Sequence, residues 1–325
     1  MSSPLKQRPQ PIRRFVDHKR QVGKATVHGT FGELLQGYRQ HRTGDFEHFL
    51  FTLPVQELCT TATVTLSHGD GEHHVRPANR TRALAAATDL ARALGLHEID
   101  MDLTVDSNIP VGKGCASSTA DIMASISALV AAASPGTSRR VLHALGTLVA
   151  RDIEWGDYVL GESISLCLQR THTLVRSYDT DLRWHILGVD EEGSVDTAEF
   201  HRRERESARL ARHYASLLSE LDAALMMNDF AAAAQVATES AVLNQRILPK
   251  RSFPLMRQVA AATGALGIAV AHTGTVVGLI FSGHQSDMPA RLREAQLCLD
   301  REELNSRVYT VRDKGAAQLS SGDGG

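Results

Sequence analysis

The chain has 325 residues, enough for about two domains, and its 42% apolar and 22% charged content supports a buried core and excludes a disordered chain. Its 35 Lys and Arg nearly balance 37 Asp and Glu, for a net charge of −2, without the basic excess expected of a nucleic-acid binder. No apolar run is long enough to span a bilayer, and the polar, basic start MSSPLKQRPQPIRRF lacks the apolar stretch of a secretory leader. The expectation is a cytoplasmic protein whose partners are small molecules, with no nucleic acid and no membrane.

Residues 1–22 carry six Lys or Arg against the single Asp17 and include three prolines. They read as a solvated arm, which leaves open that it covers part of a partner subunit in a homodimer. Residues 24–28 (KATVH) and 59–66 (CTTATVTL) read as strands from their Thr and β-branched content. His68, His73 and His74 sit in a Gly- and Asp-rich turn, read as an exposed hairpin tip in preference to a metal site. A helix is expected from Asn79, as N-cap, to Gly95, with Leu84, Ala87, Leu90, Ala91 and Leu94 at helical spacing. Alternation over 99–105 predicts a half-buried strand, and Ile122, Ile126, Leu129 and Ala133 mark one face of a helix that ends before Ser134-Pro135-Gly136.

Beyond it, the pattern predicts a helix over 138–151 and short strands at 164–168, 172–176 and 184–189. Helical sequence follows over 202–247, broken near Asn228-Asp229, with a further helix over 252–263. Two apolar strands then flank His272-Thr273-Gly274-Thr275, before a helix at 288–298, a strand at 307–311 and a polar tail over 313–325. The fold class is α+β, with domains over 23–190 and 191–312; the boundary is soft because the strand at 184–189 fits either side. Cys59, Cys115, Cys167 and Cys298 show no C-x-x-C spacing and read as reduced thiols.

The stretch most informative about chemistry is NIPVGKGCASSTAD, residues 108–121. It leads from a strand through Pro110 and two glycines into the start of an amphipathic helix. A helix N-terminus presents unpaired N–H groups and the positive end of the macrodipole, and so attracts phosphate. Gly112 and Gly114 allow backbone that a Cβ would block. Ser117, Ser118 and Thr119 offer hydroxyls to phosphate or Mg²⁺, and Lys113 offers charge. A Walker A loop would need Ser or Thr after Lys113, where Gly114 stands; a dinucleotide fingerprint would need a third glycine where Ser117 stands. On residues alone the loop reads either as an anion cradle or as a Gly/Ser-rich connection capped by serine.

PVGKGCASSTAD resembles the central motif of the GHMP kinases. HGTFGELLQG (28–37) is similar to their first motif, and AVAHTGTVVGLIF (269–281) to their third. Within that superfamily the three segments look most like the L-threonine kinase branch, which makes O-phospho-L-threonine for cobalamin synthesis. The resemblance implies a two-domain fold, with a ribosomal-S5-like N-terminal domain and a ferredoxin-like C-terminal α/β sandwich. It also implies ATP with Mg²⁺ and an amino-acid hydroxyl as acceptor.

The resemblance assigns Pro110, Val111, Gly112, Lys113, Gly114, Cys115, Ala116, Ser117, Ser118, Thr119 and Ala120 to ATP. It assigns Ser118 and Glu154 to Mg²⁺, and Asp157, with Lys113, to catalysis. Gly29, Thr30, Glu33, His272, Thr273, Gly274 and Thr275 fall to the substrate side. Simpler readings stand beside these: Asp157 as a turn residue, Glu33 as a helix-start residue, His272 as a satisfied core histidine. The sequence departs from the branch at His28 and Phe31, at Trp155-Gly156 inside IEWGD, and over 158–170. Those departures leave the acceptor open among threonine, serine, homoserine and related alcohols. A nucleotide-binding module without catalysis is the remaining alternative.

Overall fold

The computed structural model describes residues 20–40, 42–133, 138–150, 159, 163–171, 173–195 and 207–312. The arm, the tail, and the segment that holds Glu154 and Asp157 lie outside the described residues. Among the described residues ten strands join into one sheet. Two long strands dominate it: β1 (Gln21–Gln40) and β2 (Phe46–His68) pair antiparallel from Gln21↔Leu66 to Gln40↔Phe46. The register shifts three times between His28 and Leu35. Such bulges bend and twist a strand, and here the bend lets Glu33 of β1 pair with Val270 of β8 (Gly267–Val270).

The remaining strands are β3 (His73–Arg76), β4 (Ile99–Ser107), β5 (Ser165–Leu168), β6 (Thr173–Ser177), β7 (Trp184–Asp190), β9 (Val276–Ser282) and β10 (Ser306–Thr310). The order along the sheet is β10-β7-β9-β8-β1-β2-β4-β3, with β5 and β6 added beside β2. The strand that the sequence left open to either half therefore lies between two C-terminal strands. The histidine-rich turn is not a hairpin tip, because β3 pairs parallel to β4 and the chain crosses the end of β4 to reach it. Asp100 holds that crossing by accepting the N–H groups of Gly71 and Glu72 at 3.0 and 2.9 Å.

Among the described residues the helices are α1 (Thr81–Ala93), α2 (Ser117–Ala133), α3 (Arg139–Ala150), α4 (Ala208–Met226), α5 (Phe230–Asn244), α6 (Phe253–Thr263) and α7 (Met288–Arg301). The first begins after Arg80, not Asn79. The break at Asn228-Asp229 is as read: Asp229 caps α5 by accepting the Ala232 N–H at 3.0 Å. The second helix is buried nearly all round, not on one face, as expected of a helix apolar on every side. It lies so close to β1 that a Cβ on Gly23 would sit 2.1 Å from the Ala128 carbonyl oxygen.

Both faces of the C-terminal strands are covered, as alternation requires. In β9, Val276 and Ile280 join the large core shared with β1, β2, α1, α2, α4 and α5. Val277, Leu279 and Phe281 face a second core with Phe253, Met256, Val259, Ala295 and Leu299. Among the described residues no helix is long and apolar enough to cross a membrane.

Candidate functional site

The glycine loop joins β4 to α2 and is pinned at its start. The Asn108 side chain accepts the Cys59 N–H at 2.8 Å and donates to the Glu57 carbonyl at 2.9 Å. Gly112 and Gly114 adopt φ of +73° and +75°, and Ala116, the residue before α2, takes φ +60°. Only glycine takes this region without strain. Ser117 and Thr119 are buried, and Ser117 donates its hydroxyl to the Ile109 carbonyl at 3.3 Å. Ser118 is more open, with the Arg82 guanidinium 3.5 Å from its Oγ. Of the three residues, only Ser118 is not buried.

The other two motif segments close on this loop. From β1, Thr30 donates its N–H to the Cys115 carbonyl at 3.2 Å, and a Cβ on Gly29 would lie 2.7 Å from that oxygen. From the turn between β8 and β9, Thr275 donates its N–H to the Lys113 carbonyl at 3.2 Å. Residues some 240 positions apart in sequence thus meet on both sides of residues 113–115. Among the described residues the Thr30 hydroxyl, buried beside the loop, has no hydrogen-bond partner. Buried polar groups are seldom left so, and an orphaned hydroxyl at this point fits a polar ligand.

Charge around the loop is arranged in pairs. Lys113 reaches across to Asp190 at the end of β7, at 2.8 Å, and the Thr275 hydroxyl donates to the same carboxylate at 2.6 Å. The Lys113 ammonium is therefore paired with a carboxylate that no sequence motif marks. Further along α2, Asp121 pairs with Arg80 at 2.8 Å and accepts the Thr60 hydroxyl at 2.9 Å. Cys115 is only 2% exposed. Thiol reagents are expected to leave it unmodified in the native protein and to label it on unfolding, as peptide mass spectrometry would read.

Glu33 and His272 belong to a buried network. Glu33 lies in strand β1, not at a helix start, and its Oε2 accepts the His272 N–H at 3.0 Å and faces the His272 Nδ1 at 3.1 Å. The other ring nitrogen meets the Ser240 hydroxyl at 2.8 Å. Asn244 donates to the His272 carbonyl at 3.1 Å, and Lys250 lies 3.4 Å from the Asn244 Oδ1. His272 is thus a satisfied buried histidine, and an amino group arriving at Glu33 would have to share the carboxylate with it. Thr273 is buried as well. Ser240, Asn244, Lys250 and Asp190 escaped the sequence reading: each lies outside the motifs, and the local sequence ILPKRSF carries no pattern that marks Lys250.

Burial pushes the Lys250 ammonium down to about 8, against the opposing pull of Glu191 and Glu33. The sign follows from proton binding: between pH 8 and 10.5 the unfolded chain holds the proton that the folded chain has released. Stability conferred by this residue therefore rises with pH across that window, by up to about 3 kcal/mol. Denaturation of wild type and Lys250→Met over pH 7–10.5 reads it as a difference. A constant difference would contradict the burial of the charge.

A Mg²⁺ ion bound mainly through substrate phosphates needs one or two protein ligands, not a protein cage. Among the described residues no group of three His, Cys, Asp or Glu could hold a metal ion; the Ser118 hydroxyl, at the start of α2, is an oxygen that such an ion could use.

Residues 81–158 match the GHMP kinases N terminal domain. The fold matches homoserine kinase from Cytophaga hutchinsonii with a TM-score of 0.67 at 14% identity, over 92% of this chain and 96% of the other. It matches L. major mevalonate kinase at 0.62 and 15% identity, over 92% and 97%. Residues 81–158 are thus similar in sequence to the N-terminal domain of the GHMP kinases, and the mixed α/β fold is the one those solved structures share.

Among curated proteins, the L-threonine kinase of Salmonella typhimurium is 30% identical over 207 residues, 61% of this chain and 64% of that one. The L-threonine kinase of Citrobacter freundii is 27% identical over 203 residues, 58% and 65%. The match spans slightly less than two thirds of each relative's length.

Proposed function

We propose that the chain transfers the γ-phosphoryl group of ATP to the side-chain hydroxyl of an amino acid, with L-threonine the leading acceptor and O-phospho-L-threonine the product. The observation that carries this reading is the meeting of three motif segments at the start of α2, through the Thr30–Cys115 and Thr275–Lys113 backbone hydrogen bonds. The likeness to L-threonine kinases supports the choice of acceptor. Phosphoryl transfer asks a protein mainly to position its substrates and stabilise charge, and a preorganised loop at a helix N-terminus suits that task.

In this reading the backbone N–H groups over 112–119 hold the phosphates, and Ser118 with Glu154 holds Mg²⁺, whose role is to neutralise charge on the transferred group. Lys113 exchanges Asp190 for phosphate when the nucleotide arrives. Asp157 orients the acceptor hydroxyl or accepts its proton. Turnover of Asp157→Asn is expected to fall roughly 100-fold or more, within the range for lost general-base catalysis. Near-normal turnover would remove that role and leave the kinase reading standing.

The test is ADP release by the full chain with ATP, Mg²⁺ and a panel of L-threonine, L-serine, homoserine and simple alcohols, the product identified by mass spectrometry. Turnover with threonine is the expected result. Turnover with another member alone moves the acceptor, and nucleotide binding without transfer to any member contradicts the proposal.

A further inference from the structure

The segment over 250–252, between α5 and α6, grips the glycine turn at both ends. At one end the Lys250 ammonium lies 3.4 Å from the Asn244 Oδ1, and the Asn244 amide donates to the His272 carbonyl at 3.1 Å. At the other, Glu191 donates its backbone N–H to the Thr275 carbonyl at 3.3 Å, and its carboxylate accepts the N–H groups of Arg251 and Ser252 and the Ser252 hydroxyl. Between those ends lies Gly274, whose Cα is packed on the backbone of Lys113 and Gly114. Lys250 and Asn244 are 4% and 1% exposed. An ammonium in such a place is costly, and an apolar side chain of similar volume would pack without that cost.

We infer that Lys250 is a positioning residue for the phosphate loop: its ammonium fixes the Asn244 amide, which holds the His272 carbonyl and so presses the turn over 272–275 onto residues 113–114. This rests on the reading of residues 110–119 as the nucleotide site only in its consequence for ATP; the effect on the turn stands apart from it. Charge matters because an ionised donor makes the stronger hydrogen bond. The charged groups acting on Lys250 are Glu191, after β7, and Glu33, on β1, while His272 faces it through Asn244. Loss of the Lys250 proton above about pH 8 weakens the grip.

The test uses the full chain as wild type, Lys250→Met, Lys250→Gln, Asn244→Leu and the double variant Lys250→Met/Asn244→Leu. Hydrogen exchange at the Thr275 amide, bonded to Lys113, is measured without nucleotide. Each of Lys250→Met and Asn244→Leu is expected to speed exchange about tenfold, as loss of a hydrogen bond to a charged group implies. The double variant should add little to either, because both act in one chain of contacts. Lys250→Gln, a neutral donor, should fall between wild type and Lys250→Met, and it carries the comparison if Asn244→Leu does not fold.

In parallel, affinity for a non-hydrolysable ATP analogue should drop about tenfold in Lys250→Met. It should decline above pH 8 in wild type beyond any decline in that variant. Unchanged Thr275 exchange in folded Lys250→Met overturns the inference. If wild type itself fails to bind the analogue, the nucleotide reading falls, and exchange at Thr275 still decides the role of Lys250.

Discussion

Gly274→Ala is expected to lower kcat/KM for ATP by about 100-fold or more while the protein stays folded. A Cβ at that position would stand 2.0 Å from the Lys113 carbonyl oxygen and 2.4 Å from the Gly114 nitrogen. Both are backbone atoms, and neither can swing aside as a side-chain tip would. The turn and the loop must separate, which breaks the Thr275–Lys113 hydrogen bond and releases the loop from its lid. Displacing a positioned group by about 1 Å costs on the order of 100-fold in rate. The stability cost stays local, because the strands on either side of the turn keep their pairing with each other, β9 with β7 and β8 with β1. Steady-state kinetics beside a melting curve checks this; near-normal kcat/KM would show that the contact of turn and loop does not shape the site.

The second large effect is on stability. Asp121→Ala is expected to destabilise the fold by about 3–5 kcal/mol, the usual result of stranding one partner of a buried ion pair. Asp121 is buried, Arg80 nearly so, and among the described residues the Arg80 Nε has no hydrogen-bond partner, so the carboxylate is what makes the guanidinium tolerable there. The same substitution removes the acceptor of the Thr60 hydroxyl, which ties α2 to β2. In a chain of this length the midpoint of thermal unfolding should fall by roughly 10 °C. Arg80→Met added to Asp121→Ala should restore much of it, since no charge then remains buried. A midpoint unchanged in Asp121→Ala would contradict the account of this pair.

The sequence yielded the elements whose patterns are local. The helix over 253–263 starts within a residue of its expected position, and two strands flank His272-Thr273-Gly274-Thr275 as expected. The long strands were only partly legible. In β2 the run FLFTLPV is buried along its whole length, and a strand covered on both faces loses the alternation by which strands are recognised. In β1 the glycines of HGTFGELLQG look like punctuation, yet Gly29 and Gly32 fall at register shifts and Gly37 in regular pairing, all inside one continuous strand.

For the site, the loop over 110–120 was legible because phosphate chemistry requires glycines and hydroxyls in a fixed local order. What surrounds it was not. Asp190 meets Lys113 across 77 positions and Glu33 meets His272 across 239. Such pairs leave no local trace, because they exist only once the bulged strand and the sheet have brought them together. Lys250 was hidden for a further reason: a lysine is expected at the surface, and only the packing of α5 and α6 puts this one inside.

The claim on which the rest depends is that the loop before α2 holds the nucleotide phosphates. A crystal structure of the full chain with a non-hydrolysable ATP analogue and Mg²⁺ tests it most directly. The account predicts the β- and γ-phosphates within hydrogen-bond distance of backbone N–H groups over 112–119, with the Ser118 hydroxyl on the ion and Lys113 turned from Asp190 toward phosphate. A nucleotide bound elsewhere, with the Lys113–Asp190 pair undisturbed, would contradict it.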